Sequence, residues 1–185
     1  MINLYRYYYT LYQVNETKYQ NNVLIIFNNK YHKMMKLLHY SPYIAGIALV
    51  IQFLITKSKS RQLDLINLGI IQFLNILVSA SCKLIIQLPR PSSEERGFPS
   101  AHSMFWSGYI IVMYFQQQRI AAYVFMLLLV SLERYIDGYH YLYQIVGGIL
   151  FGALFSYFAV NFVIIQKLAK ILQYQYERII SIINH

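Results

Sequence analysis

Between Lys83 and His102 the chain reads KLIIQLPRPSSEERGFPSAH, which gathers Lys83, Arg90, Arg96, Ser100 and His102 within twenty residues between two apolar segments. A second cluster, Glu133 to Gln144 (ERYIDGYHYLYQ), brings Arg134, His140 and Gln144 after one further apolar hairpin. Guanidinium groups offer planar forks that match phosphate oxygens, and a lysine adds a point charge. Lys83, Arg90 and Arg134 are therefore candidates to hold a phosphoryl group. Ser100 follows Pro99 and precedes an apolar helix, the position of an N-cap. The amide groups of that first turn, with the positive end of the helix dipole, would then face the same anion. His102 lies in this turn, placed to protonate a departing oxygen. His140 comes from a different element and is placed to attack phosphorus, forming a covalent intermediate. Gln144, four residues on, is read as sharing a helical face with His140 and fixing its tautomer. No His, Cys, Asp or Glu set with metal-ligand spacing stands out, so no metal or cofactor is expected. The cations themselves must then stabilise the transferring group.

The neighbouring acids have simpler readings. Asp137 is expected to pair with Arg134 at i,i+3. Glu133 is expected to point away from the phosphate-binding residues, and Glu94 and Glu95 to form a solvated face.

These clusters need a frame, and the composition says what kind. At 185 residues the chain is one domain by length, 57% hydrophobic and only 12% charged. Nineteen tyrosines and eleven phenylalanines suit a membrane–water interface. The net charge of +9 is scattered in short clusters between apolar runs. That pattern fits anionic lipid or phosphate contact and excludes a nucleic-acid-binding face as the main reading. Cys82 is the single cysteine, so no intrachain disulfide and no cysteine metal cluster is possible. The polar first twenty residues lack the pattern of a cleavable signal peptide.

In chain order, residues 1–20 form a polar arm with a glycosylation sequon at Asn15, and 21–40 an interfacial helix. Apolar segments follow at Pro42 to Thr56, Leu65 to Leu88, Ala101 to Phe115, Ile120 to Tyr135 and Gln144 to Ile165. The domain is thus expected over 21–165, with 166–185 a basic amphipathic tail. This predicts an all-α integral membrane bundle of about four to five transmembrane helices. In Gln144 to Ile165, Gly148 and Gly152 permit close helix contact. Alternating spans place the loop 57–61, Arg119 and the tail on one side, with seven lysines and arginines. The positive-inside rule makes that side cytoplasmic and sets both clusters on the lumenal or exterior face.

Three motifs in order, Lys83-x6-Arg90-Pro91, Pro99-Ser100-Ala101-His102 and Arg134-x5-His140, resemble the signatures of the type-2 phosphatidate phosphatase superfamily. Within it the chain is most similar to the dolichyl-diphosphatases, through KLIIQLPRP, GFPSAHSMF, LLHYSPYIAGIAL and YHYLYQIVGGILFG, over about residues 33–165. The resemblance implies a haloperoxidase-like helical bundle and a metal-independent hydrolase of lipid phosphates. It implies His140 as nucleophile, His102 as general acid, and Lys83, Arg90, Ser100, Ala101 (through its N–H) and Arg134 as the phosphate cradle. It implies a polyprenyl or dolichyl diphosphate substrate, a bilayer environment, and an endoplasmic-reticulum location with a lumenal site. Three positions depart from the superfamily's pattern. Glu133 stands where Ser is usual, Ala101 where Gly or Ser is usual, and Gln144 where Asp is common, although dolichyl-diphosphatases also resemble this chain in having Gln. Phosphatidate, sphingoid phosphate and undecaprenyl diphosphate remain open as substrates. A non-enzymatic protein that binds polyprenyl phosphates is the rival class.

Overall fold

The computed structural model of the protein describes residues 35–183. The arm 1–20, its sequon and most of the interfacial helix expected over 21–40 lie outside the described residues. Packing divides the chain between His39 and Tyr40. On the first side, the described residues 35–39 are helical. From Tyr40 onward the described residues form six helices, and their one β feature is an isolated antiparallel bridge between Pro89 and Arg96.

Local chemistry explains most of the boundaries. Helix α1 (Ser41–Ile55) carries Pro42 in its first turn, where a missing N–H costs nothing. Helix α2 (Lys59–Ile86) starts six residues before the expected Leu65 because Ser58 caps it, accepting from the Arg61 N–H at 3.4 Å. It stops at Gln87, whose left-handed backbone (φ 51°) turns the chain into the loop ahead of α3. Helix α3 (Ala101–Phe115) coincides with the expected segment, and α4 (Ala121–Ile136) is shifted by one residue. Helix α5 (Leu142–Asn161) ends before the expected Ile165. Phe162 is extended, which frees the amphipathic α6 (Val163–Ile183) to take its own direction.

Among the described residues two helices, α2 and α5, are long and apolar enough to cross a membrane, and α1 is apolar but shorter. Helices α3 and α4 have 15 and 16 residues, or about 22–24 Å of rise against a hydrocarbon core of about 30 Å. By length and composition the expected set of spans is therefore met by two.

The distribution of side chains suits a lipid solvent. Large apolar residues such as Ile47, Phe73, Leu128 and Phe158 face outward, whereas Gln72, Asn75, Ser79 and Ser156 are buried. Lipid tails are as apolar as leucine, so helices associate through close packing and buried hydrogen bonds rather than through loss of apolar contact with water. The α3–α5 pair has the most extensive contact in the bundle. A Cβ at Gly148 would strike the Ser100 carbonyl oxygen, and one at Gly152 the Met104 carbonyl oxygen. Gly108 leaves room for Asn75 Nδ2 of α2 to donate to Ser156 Oγ of α5 at 2.9 Å, past the flank of α3.

Connectivity then puts the α2 C-terminus, α3 N-terminus, α4 C-terminus and α5 N-terminus at one end. At the other, Gln116 Nε2 donates to the Asp64 carbonyl at 2.8 Å, and Lys59 pairs with Glu177 of α6 at 2.8 Å. The tail and the start of α2 share a side, as the alternation of spans requires.

Gly152→Ala should destabilise the protein by about 1–3 kcal/mol, because the obstructing atom is backbone and cannot swing away. Gly46→Ala meets nothing within 4 Å and should be neutral or stabilising by up to about 1 kcal/mol. Thermal unfolding in detergent separates the two; equal effects would contradict the close α3–α5 contact.

Candidate functional site

Lys83 lies in the last turn of α2. Arg90 follows in a loop closed by Arg90 N–H to Glu95 O (3.0 Å) and Gly97 N–H to Leu88 O (2.6 Å). Ser100 is fully buried as the N-cap of α3, and its hydroxyl accepts from Ser103 Oγ at 3.1 Å. Ala101 is the first helical residue, so its amide is one that no intrahelical carbonyl can reach. His102 is next and half-buried. Arg134 lies in the last turn of α4, and its carbonyl accepts from the His140 N–H at 3.1 Å. His140 precedes Tyr141, the N-cap of α5, and Gln144 sits in the first turn.

One side chain ties three of these segments together. Gln144 is fully buried. Its Nε2 donates to the Pro89 carbonyl at 2.7 Å, and its Oε1 accepts from the Tyr141 N–H at 3.2 Å and meets His140 Nδ1 at 3.1 Å. Its main-chain carbonyl accepts from the Ser100 N–H at 2.9 Å. The amide orientation follows from chemistry, since a carbonyl only accepts and a backbone N–H only donates. Oε1 must therefore face His140, Nδ1 must carry the proton, and the lone pair is left on Nε2. The expected helical face is not what joins these residues. His140 lies outside α5, and Gln144 reaches back over the helix start in the manner of a cap.

The surroundings keep that ring neutral. Burial is the main cause that pushes the His140 pKa down to about 4. Arg90, Lys83 and Arg134 act in the same direction, and the Gln144 hydrogen bond opposes them. All three cations are thus near enough to act on the imidazole.

Two expectations about acids are corrected. Arg134 pairs with Glu133 (Nε to Oε2, 2.7 Å), while Asp137 is exposed. Glu133 is 1% exposed and turned onto the arginine rather than away from it. The other acids divide, for Glu95 reaches Arg90 at 3.2 Å but remains 71% exposed. Sequence reasoning also missed Tyr139, whose ring lies 4.7 Å from the Arg134 Cζ, and Gly97. A Cβ at Gly97 would come within 2.6 Å of Gln144 Nε2. A tyrosine and a glycine inside the two clusters were the available signals. Among the described residues no three His, Cys, Asp or Glu side chains group as a metal site would require.

The ring assignment is open to direct measurement. In 15N-histidine NMR of the detergent-solubilised protein, His140 should be the Nδ1–H tautomer at neutral pH and should gain its second proton only near pH 4. Titration near the ordinary value of about 6.5, or an Nε2–H tautomer, would contradict the geometry.

A sequence model of the PAP2 superfamily matches residues 64–167. No curated protein and no solved structure matches the chain. Every residue from Lys83 to Gln144 that builds the site falls inside the matched region, which covers more than half the sequence, and the chain belongs to the PAP2 superfamily.

Proposed function

We propose that the protein is an integral-membrane phosphatase that hydrolyses a polyprenyl diphosphate, of the dolichyl type, to the monophosphate through a phosphohistidine. Membership of the PAP2 superfamily supplies the broader statement, a hydrolase acting on phosphorylated lipid-type substrates. The observation that carries the mechanism is the Gln144–His140 contact, which leaves a neutral ring with Nε2 as its basic atom beside three cations.

In this reading Lys83, Arg90 and Arg134, with Ser100 Oγ and the Ala101 N–H, hold the oxygens of the terminal phosphoryl group. His140 Nε2 attacks phosphorus, the P–O bond to the bridging oxygen breaks, and His102 donates a proton to the departing lipid monophosphate. Water then attacks the phosphohistidine while His102 takes back a proton, and inorganic phosphate leaves. Recycling of a lipid carrier for glycosylation, in the endoplasmic reticulum with a lumenal site, is the setting that the similarity to dolichyl-diphosphatases and the placement of cations support.

Phosphate release from a panel of dolichyl diphosphate, undecaprenyl diphosphate, phosphatidate and sphingoid phosphate tests the assignment. Dolichyl diphosphate should be preferred, and activity should persist in chelator. Reversible loss on chelation, restored by magnesium or zinc, would sink the mechanism. His140→Ala should abolish turnover. His102→Ala should cost roughly 10²–10⁴-fold where the leaving group needs a proton, and much less on an activated phosphoester. Equal losses on both substrates would remove His102 as the acid. For topology, a reporter sequon on the loop 57–61 should stay unmodified in microsomes while Asn15 is glycosylated; the reverse would place the chemistry in the cytoplasm.

A further inference from the structure

Glu133 is the only buried acid among the described residues. Its Oε2 lies 2.7 Å from Arg134 Nε, with the two side chains 1% and 3% exposed. The contact is a close ion pair between buried groups. Tyr139 covers a face of the same guanidinium. An ionised carboxylate in such a place is tolerable only while the arginine's charge is committed to it.

A phosphoryl group entering the cradle disturbs that balance. It brings up to two further negative charges to a guanidinium already occupied by a carboxylate, in surroundings where water screens poorly. Glu95 can relieve Arg90 by swinging into solvent, since it is largely exposed. Glu133 is enclosed and has no such exit. The response left to a buried acid beside an arriving like charge is to become neutral.

We propose that Glu133 takes up a proton from solvent as a tetrahedral anion enters the cradle and returns it when the anion leaves, so that this one side chain couples phosphate binding to pH. The inference rests on the proposed role of Arg134 in holding phosphate. Among the described residues, the charged groups around Glu133 are Arg134 of its own helix and Asp137, which caps that helix's C-terminus. Arg90 and Tyr139 act on Arg134 from the adjoining loops. The packed neighbours α3 and α5 bring His102 and tyrosines but no acid, lysine or arginine. Protons taken up by His102, His140 or Lys83 would persist when Glu133 is replaced, so the difference between wild type and variant isolates Glu133.

Tungstate suits the test, being a tetrahedral dianion that does not titrate near neutrality. Its binding to the full-length protein in detergent is measured calorimetrically, in buffers of different ionisation enthalpy, across neutral and mildly alkaline pH. Wild type should take up a proton on binding and lose affinity as pH rises. Glu133→Gln should take up fewer protons and, at the alkaline end, bind on the order of tenfold tighter, the equivalent of about one pKa unit. Glu133→Asp should restore the uptake. Removing the acid takes from the buried Arg134 the carboxylate it pairs with, so tungstate should raise the Tm of Glu133→Gln more than that of wild type. If that variant does not accumulate folded, Glu133→Ser carries the same expectations. Equal proton uptake and equal or weaker affinity in the variants would overturn the coupling while leaving the phosphate site intact. Failure of wild type to bind tungstate at all would overturn the functional reading, and the coupling with it.

Discussion

The buried amide of Gln144 is the constraint on which the site depends. In a low-dielectric interior every polar atom must find a partner or bear the desolvation, and this side chain satisfies groups from separate segments at once. It engages Pro89, beside Arg90, as well as Tyr141 and His140, and its carbonyl holds the amide of Ser100. No helix contact by itself would set the register between the loop that carries Arg90, the cap of α3 and the loop that carries His140. One glutamine does so because it offers a donor pair, an acceptor and a main-chain carbonyl within one residue.

That tie works only because α3 and α5 lie close together. The glycines of α5 bring its backbone against the Ser100 and Met104 carbonyls, and the same closeness allows the Gln144 carbonyl to meet the Ser100 N–H. Packing and chemistry are thus coupled through distance. In a bilayer, where helices gain little by hiding apolar surface from one another, small residues are what make such an approach favourable. Polar residues along α2 complete the frame, and the hydrogen bond from Asn75 to Ser156 locks α2 to α5.

Much of this was legible in the sequence, for stated reasons. Helix α3 was bounded by its serine cap and its apolar run, and Lys83, Ser100, His102 and Arg134 fell at helix ends, with Arg90 and His140 in the loops beside them. The role of Gln144 was legible as a partner for His140, but not the route by which they meet. An i,i+4 spacing suggests a helical face, whereas here the helix starts between the two residues. Glu133 was misread for a similar reason. Adjacent residues inside a helix diverge by about 100°, so the i+3 partner Asp137 looked better placed for Arg134. Near the end of α4 two long side chains can still converge in buried space, and there the charges met. Spans were the least legible quantity. The apolar runs of α3 and α4 have the composition of membrane segments but fall short in length, and no residue pattern states how a bilayer accommodates them.

The contact between Gly97 and Gln144 has a consequence for how sequences of this architecture can vary. A side chain at position 97 would occupy the space that the glutamine amide fills, so the two positions cannot be chosen independently. Alanine at 97 would push the glutamine amide off its partners at Pro89 and His140, whereas a shorter acid or amide at 144 would leave room for it. Substitutions at these sites should therefore be inherited as compatible pairs, and a change at either one alone narrows what the other can become.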